Sequence, residues 1–116
     1  MSMLAVRMAP EPVKYLAFGG ITVAYAAVGT PTANPARILL LQNLTEQPLW
    51  WSFNGIDDHF PMPSHGYFVL DIASNKTLSQ GFFLAEGQQL YVRAFSVPEE
   101  PLTGAACYTA FYGVEV

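Results

Sequence analysis

The chain has few charged residues, and basic residues are the scarcer kind. Charged residues make up 12% of its 116 residues, with 5 Lys and Arg against 9 Asp and Glu. Ordinary domains carry about 25% charged residues. A nucleic-acid-binding protein needs a basic surface, and a protein that binds anionic membranes needs clustered basic residues. The composition therefore predicts neither a nucleic-acid partner nor a membrane partner.

Cysteine and long apolar segments are also scarce. Cys107 is the single cysteine, so no internal disulfide can hold the fold together. An isolated cysteine usually packs as a small hydrophobe, and we predict that role for Cys107. No segment approaches the roughly eighteen consecutive apolar residues typical of a membrane-spanning helix. The fold must therefore rest on an ordinary hydrophobic core.

Apolar residues are abundant by comparison. They make up 52% of the chain, and aromatic residues alone make up 14%. A small domain has a large surface for its volume, and this one has few charges with which to cover it. Part of the apolar content is therefore predicted to stay on the surface, where large apolar patches usually mark contact sites. The composition favours a protein partner.

Short segments separated by turn residues predict the fold class. Nine glycines and nine prolines divide the chain, and the pieces between them are strand-like, with no helical period of sufficient length. The predicted strands cover 21–28, 36–43, 49–54, 66–72, a short strand within 77–85, 89–95 and 105–112. Six to eight short strands predict an all-β fold, an antiparallel β-sandwich or jelly-roll-like small barrel. We expect one such domain over 15–116, preceded by an N-terminal arm over 1–14 that orders only against a partner.

The adjacent tryptophans Trp50 and Trp51 are the most informative aromatic pair. Neighbouring residues of a strand face opposite ways, so when one lies in the core the other points outward. An outward tryptophan is a natural hot spot of an interface. The partner-contacting residues predicted from the arm and from this aromatic region are Met3, Leu4, Val6, Met8, Trp50, Trp51 and Phe60.

Two polar groupings are candidates for chemistry. Asp57, Asp58 and His59 carry cation-binding groups on one loop, but their spacing matches no established metal motif, and a hydrogen-bonded turn explains them better. His59 and His65 flank two prolines near Ser64, without a nucleophile motif around the serine. We predict no metal, no cofactor and no catalytic residues.

The stretch that begins with ARILLLQN carries a family resemblance. It continues through WWSFNGIDDHFPMPSHGYFVLDI, SNK and GFFLAEGQQLYVRAF, and the aromatic ending AACYTAFYGVEV also fits. Over residues 36–95 this order resembles small virion proteins of tailed bacteriophages. The resemblance implies a noncatalytic structural protein of the virion, assembled in the host cytoplasm. It also implies that the protein is present in multiple copies or as a homo-oligomer, with the major capsid protein or other virion proteins as partners.

Several roles remain open within and beyond that resemblance. A capsid cement or decoration protein is the first reading, and a neck or tail component of the same particle is the second. Because aromatic side chains also stack on sugars, a carbohydrate-binding module is an alternative from another class. A small enzyme that uses His59 or His65 is the least favoured.

Overall fold

The fold consists of antiparallel strands in two sheets. The computed structural model describes residues 6–71 and 87–115, and the side chains of 8–71 and 87–113. The described residues form nine strands and two short 3-10 turns, Phe18–Gly20 and Val97–Glu99. The strands are β1 Val6–Pro10, β2 Lys14–Ala17, β3 Ala26–Ala27, β4 Ile38–Asn43, β5 Leu49–Ser52, β6 Phe60–Met62, β7 Tyr67–Asp71, β8 Tyr91–Ala94 and β9 Ala105–Glu115.

The strand order is that of a jelly roll. One sheet has the order β1-β9-β4-β7, with β2 also paired to β9, and the other has the order β3-β8-β5-β6. The pairs β2–β9, β3–β8, β4–β7 and β5–β6 are nested one inside the next, as when a long hairpin is rolled up into two sheets. The predicted all-β fold, an antiparallel β-sandwich or jelly-roll-like small barrel, is confirmed, and the two sheets pack as a sandwich.

The core lies between the two sheets and follows the alternation of the strands. In β4, Leu39 and Leu41 are buried while their neighbours are half-exposed, and β8 buries Val92 in the same way. Trp51 and Tyr108 are the largest fully buried side chains. Successive side chains point to opposite faces of a sheet. Every second side chain of a strand therefore fills the core, and the side chains between them form an outer face.

The predicted strand over 21–28 is much shorter than expected. The strand itself is limited to Ala26–Ala27, which pairs with β8. The chain bends near Ala24, whose backbone N–H donates to Thr22 Oγ1 at 3.2 Å, while the carbonyl of Thr22 accepts from the backbone N–H of Ala94 on β8 at 2.7 Å. Ile21 and Val28 at its two ends are nevertheless buried in the core. The apolar pattern was thus a signal of burial and not of a continuous strand. The predicted strand within 77–85 lies outside the described residues.

Part of the predicted N-terminal arm, β1 together with the first residue of β2, belongs to the larger sheet. β1 pairs with the last five residues of β9, Phe111–Glu115, and β2 pairs with its first four. Between β1 and β2, the buried carboxylate of Glu11 accepts hydrogen bonds from the backbone N–H groups of Ala33 and Asn34 and from Lys14 Nζ at 3.3 Å. This Glu11 clamp joins the segment between β1 and β2 to the 30–35 loop.

Charge and hydrogen bonding decide the protonation state of the clamp. Burial by itself raises the pKa of Glu11, but the hydrogen bonds from Asn34 and Ala33, together with Lys14, outweigh it and hold that pKa below its ordinary value of 4.5. Burial, and then the nearby Glu11 charge, raise the pKa of Tyr108 to about 12. The Tyr108 hydroxyl donates to the carbonyl of Thr30 at 2.6 Å, so the same loop is held from both sides.

Candidate interaction surfaces

The two adjacent tryptophans have opposite environments. Trp51 is 0% exposed and stacks on Phe60 within the core, with ring centroids 6.5 Å apart. Trp50 is half-buried on the outer face of the four-stranded sheet, directly across from Arg93 on β8. The expectation that one faces out is confirmed. The inclusion of Trp51 among partner-contacting residues is corrected, because a fully buried ring has no surface to offer.

Aromatic rings gather around an arginine on this outer face. Trp50 stacks on Phe95 with ring centroids 5.1 Å apart. The Arg93 guanidinium lies 5.6 Å from the centre of the Tyr25 ring and 6.0 Å from that of Trp50. These distances are within the range of cation–π attraction. With Asp58, these four residues form what we call the aromatic–arginine cluster.

Asp58 completes the cluster from the loop between β5 and β6. Its carboxylate accepts hydrogen bonds from Arg93 Nε at 3.0 Å and Nη2 at 2.6 Å, and from the Tyr25 hydroxyl. The bonds from Arg93 and Tyr25 lower the pKa of Asp58. Burial and then Asp58 raise the pKa of Tyr25 to about 12. The cluster is therefore fully ionised at Asp58 and Arg93 near neutral pH, and its charges are satisfied within the chain.

The neighbouring residues of the same loop are also engaged. Asp57 Oδ2 accepts from Asn54 Nδ2 at 2.8 Å, and His59 Nδ1 accepts from the backbone N–H of Phe53 at 2.9 Å. No group of three or more metal-ligating side chains occurs among residues 6–71 and 87–115. The geometry of Asp57, Asp58 and His59 fits the hydrogen-bonded loop.

The other residues considered for chemistry lie apart from this cluster. The Ser64 hydroxyl donates to the carbonyl of Thr45 at 2.9 Å, so its proton is directed at a backbone oxygen. Cys107 is buried, at 6% exposure, and burial raises the pKa of its thiol. A buried thiol with a raised pKa is a poor nucleophile, so the structure agrees with a packing role for this cysteine.

The outer face of the five-stranded sheet is built from three rows of side chains that cross the strands. Each row follows the pairing of β9 with its neighbours, and of β4 with β7. The rows are Tyr15–Cys107–Gln42–Tyr67, then Thr109–Leu40–Val69, then Pro10–Phe111–Ile38–Asp71. Met8 continues this surface on β1, which projects beyond β4 together with the end of β9. We call this surface the apolar face.

Several side chains of the apolar face are well exposed. Tyr67 is 72% exposed and Tyr15 64%, and Val69 and Met8 are close to half-exposed. Leu40 and Ile38 lie half-buried between them. Asp71 is the one charged side chain in the three rows, and it lies at an end of β7. A surface with several exposed apolar side chains is the feature that marks contact sites on soluble proteins.

The sequence-predicted contact residues divide between these surfaces and the core. Met8 lies on the apolar face and Trp50 in the aromatic–arginine cluster. Phe60 packs inward against Phe68, with ring centroids 5.1 Å apart, as well as against Trp51. Val6 begins β1, and its side chain is outside the described set. Met3 and Leu4 lie outside the described residues.

Sequence reasoning missed the most exposed members of the apolar face. Tyr67 and Val69 alternate with Phe68 and Leu70, and that alternation was visible in the predicted strand over 66–72. Tyr15 gave no signal, because β2 was not predicted. The apolar run Ile38–Leu41 was informative as well, since a strand that is apolar on both sides needs a cover on both sides.

Comparison with known proteins adds no relative. No protein-family model, no curated protein and no solved structure matches the chain. Within the described residues, no helix is long and apolar enough to cross a membrane.

Proposed function

We propose that this chain is a noncatalytic structural protein of a tailed-bacteriophage virion that binds the capsid shell and stabilises or decorates it. The observation that carries the proposal is that the sandwich presents apolar or aromatic side chains on the outer faces of both sheets. A component that stays bound to its neighbours can keep such surfaces, whereas they are a liability for a free monomer.

Two further arguments support the proposal. The sequence over 36–95 resembles small virion proteins of tailed phages. The jelly roll is also used by viral capsid domains, although a fold by itself does not define a function and this argument is one of analogy. A protein with this sequence pattern and this fold is suited to binding other proteins in an assembly.

The aromatic–arginine cluster is the proposed contact with the shell. Trp50 and Arg93 belong to the residue types that most often act as hot spots of interfaces. Arg93 is held in place by Asp58 and the two flanking rings, so little side-chain entropy is lost when a partner binds. A capsid protein would cover Trp50 and Phe95 and leave the Arg93–Asp58 pair at the rim.

Co-sedimentation with capsids that lack this protein tests the proposal. Purified protein is mixed with the particles, and bound copies are counted against the capsid protein. Hundreds of copies support a cement or decoration role, and about a dozen or fewer support a neck or tail component, as expected from particle symmetry. No binding at saturating protein would contradict a virion role.

A matched pair of variants locates the contact. Trp50→Ala is expected to weaken capsid binding at least about tenfold, as for a central hot spot. Leu102→Ala removes another large apolar side chain, which is 75% exposed in the loop before β9, and should leave binding unchanged. Equal binding by both variants would remove the cluster from the interface.

A carbohydrate-binding module is the second candidate, because Trp50, Phe95 and Tyr25 lie on one outer face. Lectin domains also use the jelly roll. This candidate predicts binding on a glycan array that Trp50→Ala abolishes and Leu102→Ala preserves. An array without any signal would contradict it and leave the structural role as the better proposal.

A further inference from the structure

The apolar face has the composition of an interface between identical subunits. Its middle row, Thr109, Leu40 and Val69, holds no charge, although the chain as a whole has a net charge of −4. Among the described side chains, the two basic residues nearest this face are turned away from it: Lys14 pairs with Glu11 at 3.3 Å and lies across from Tyr108, and Arg37 is buried just before β4. Homodimer interfaces are more apolar than other interfaces and are depleted of charge at their centre.

We propose that the occupant of the apolar face is a second copy of this chain, packed face to face about a two-fold axis. A two-fold interface joins the same patch on both subunits and must be complementary to itself. The apolar face fits this condition, because its middle row holds no charge and Asp71, the one charged side chain in the three rows, lies at an end of β7. The inference concerns self-association alone and does not depend on the virion proposal.

The positions of the acidic residues fit this arrangement. Asp71 lies in the row of Ile38 and Phe111, and Glu115 lies four residues further along β9, so both belong to the same end of the sheet. When the strands of two copies run in opposite directions across the interface, the acidic ends lie at opposite sides of the dimer. Repulsion between the two acidic subunits is then smallest where they touch.

The size of the face is sufficient for a specific dimer. The five strands of this sheet contribute about thirty residues, and with a strand spacing of about 4.8 Å and about 3.4 Å per residue they cover on the order of 500 Å². Two such faces in contact reach on the order of 1,000 Å², the lower bound expected of a specific interface. Projecting side chains such as Tyr15 and Tyr67 add to this planar value.

The dimer would have two equivalent binding surfaces. The aromatic–arginine cluster lies on the sheet opposite the apolar face, so face-to-face packing leaves both copies of Trp50 on the outside. Two linked sites raise the overall affinity for a repetitive surface without any new contact, provided that both can engage at once.

Sedimentation velocity of the full chain, from about 1 to about 100 µM, tests the inference in the concentration range of a moderately stable dimer. The wild type is expected to sediment as a dimer at the upper concentrations. Val69→Lys and Tyr15→Lys should each weaken dimerisation at least about tenfold, because each lysine enters the interface twice. Leu102→Lys, at a more exposed site off the face, should behave as the wild type.

The results that differ from these expectations also have a defined meaning. Tyr15→Lys is the second variant because Tyr15 is mostly exposed and its replacement leaves the core intact, as circular dichroism can check. A wild type that stays monomeric overturns the inference, as does a dimer that both lysine variants leave intact. If the wild type is a monomer and Val69→Lys abolishes its binding to capsids, the apolar face contacts a different protein.

The capsid experiment separates this inference from the proposed function. If the protein is a dimer that does not bind capsids, self-association is supported and the virion role is contradicted. If it is a monomer that binds capsids, the virion role is supported and self-association is contradicted.

Discussion

The outer faces of the two sheets differ in how their exposed side chains are satisfied. On the four-stranded sheet, Trp50 stacks on Phe95, and Arg93 is paired with Asp58 and flanked by two rings. On the five-stranded sheet, Tyr15 on β2 and Tyr67 and Val69 on β7 keep large exposed fractions. The first surface is stable in water as it stands. The second leaves apolar area exposed that a partner would remove from water.

This difference separates two kinds of contact. A preorganised cluster with satisfied charges can bind and release a partner at little cost in entropy. A mostly apolar face gains from being covered permanently, as in obligate interfaces. The two tryptophans show the same principle on a smaller scale, since adjacent residues of one strand serve the core and the surface.

The largest effect on stability is expected for Trp51→Ala, and Trp50→Ala is the variant to compare with it. Trp51→Ala removes a fully buried ring and should lower the free energy of unfolding by about 3–5 kcal/mol. Trp50→Ala removes a half-buried ring and one stacking contact, and should cost about 1 kcal/mol. Urea denaturation followed by circular dichroism measures both. Equal losses would contradict the separation of core and outer face.

A milder change sharpens the same comparison. The indole N–H of Trp51 is buried without a hydrogen-bond partner, so Trp51→Phe removes no hydrogen bond and should cost clearly less than Trp51→Ala. A loss as large as that of the alanine variant would indicate a bond that the structure does not contain.

An intermediate effect is expected at the Glu11 clamp. The Glu11 carboxylate accepts hydrogen bonds from Ala33, Asn34 and Lys14. Glu11→Gln removes its negative charge and should lower the free energy of unfolding by about 2 kcal/mol. Because the pKa of Glu11 is lower in the folded chain than its ordinary 4.5, the clamp contributes its full stability above that pH. The contribution is lost as the pH falls through the folded pKa.

The pH dependence provides the control for the clamp. Wild type and Glu11→Gln should differ in stability at pH 7 and converge as the solution is acidified, measured by thermal unfolding across the acidic range. A difference that stays constant with pH would mean that the charge of Glu11 is not the source of the stability.

The smallest effect on stability is expected at Asp58, the exposed counterpart of the clamp. Asp58→Asn weakens the ion pair with Arg93, and exposed ion pairs contribute little, so thermal unfolding should change less than for Glu11→Gln. The variant should instead lower the pKa of Tyr25 from about 12 towards its ordinary value of 10.0, with burial retaining part of the shift. Ultraviolet titration of tyrosine ionisation measures it, and an unchanged titration would contradict the contact.

Much of the fold could be predicted from the sequence because its signals are local. The alternation in β5 and β8 and the doubly apolar β4 are each readable within a few residues. β1 and β2 were missed, because Pro10 and Pro12 interrupt any period and their partner strand lies about a hundred residues away. Nothing local identifies such a pairing.

The candidate surfaces were predictable only in part for the same reason. The outward turn of Trp50 follows from its neighbour, but the meeting of Asp58 with Arg93 across 35 residues requires the rolled-up topology. The apolar face combines residues from β1, β2, β4, β7 and β9, so it exists only in the folded sheet. The virion role remains a prediction from the resemblance and from these surfaces.

Hydroxyl-radical footprinting of the protein, free at low concentration and in its assembled state, tests most directly whether the apolar face is covered. Tyr15 and Tyr67 lie on that face, while Ile56 and Leu102 are at least as exposed in loops away from it. The account predicts that oxidation of both tyrosines falls on assembly while oxidation of Ile56 and Leu102 is unchanged. Tyrosines that stay as reactive in the assembled state as in the free chain would contradict it.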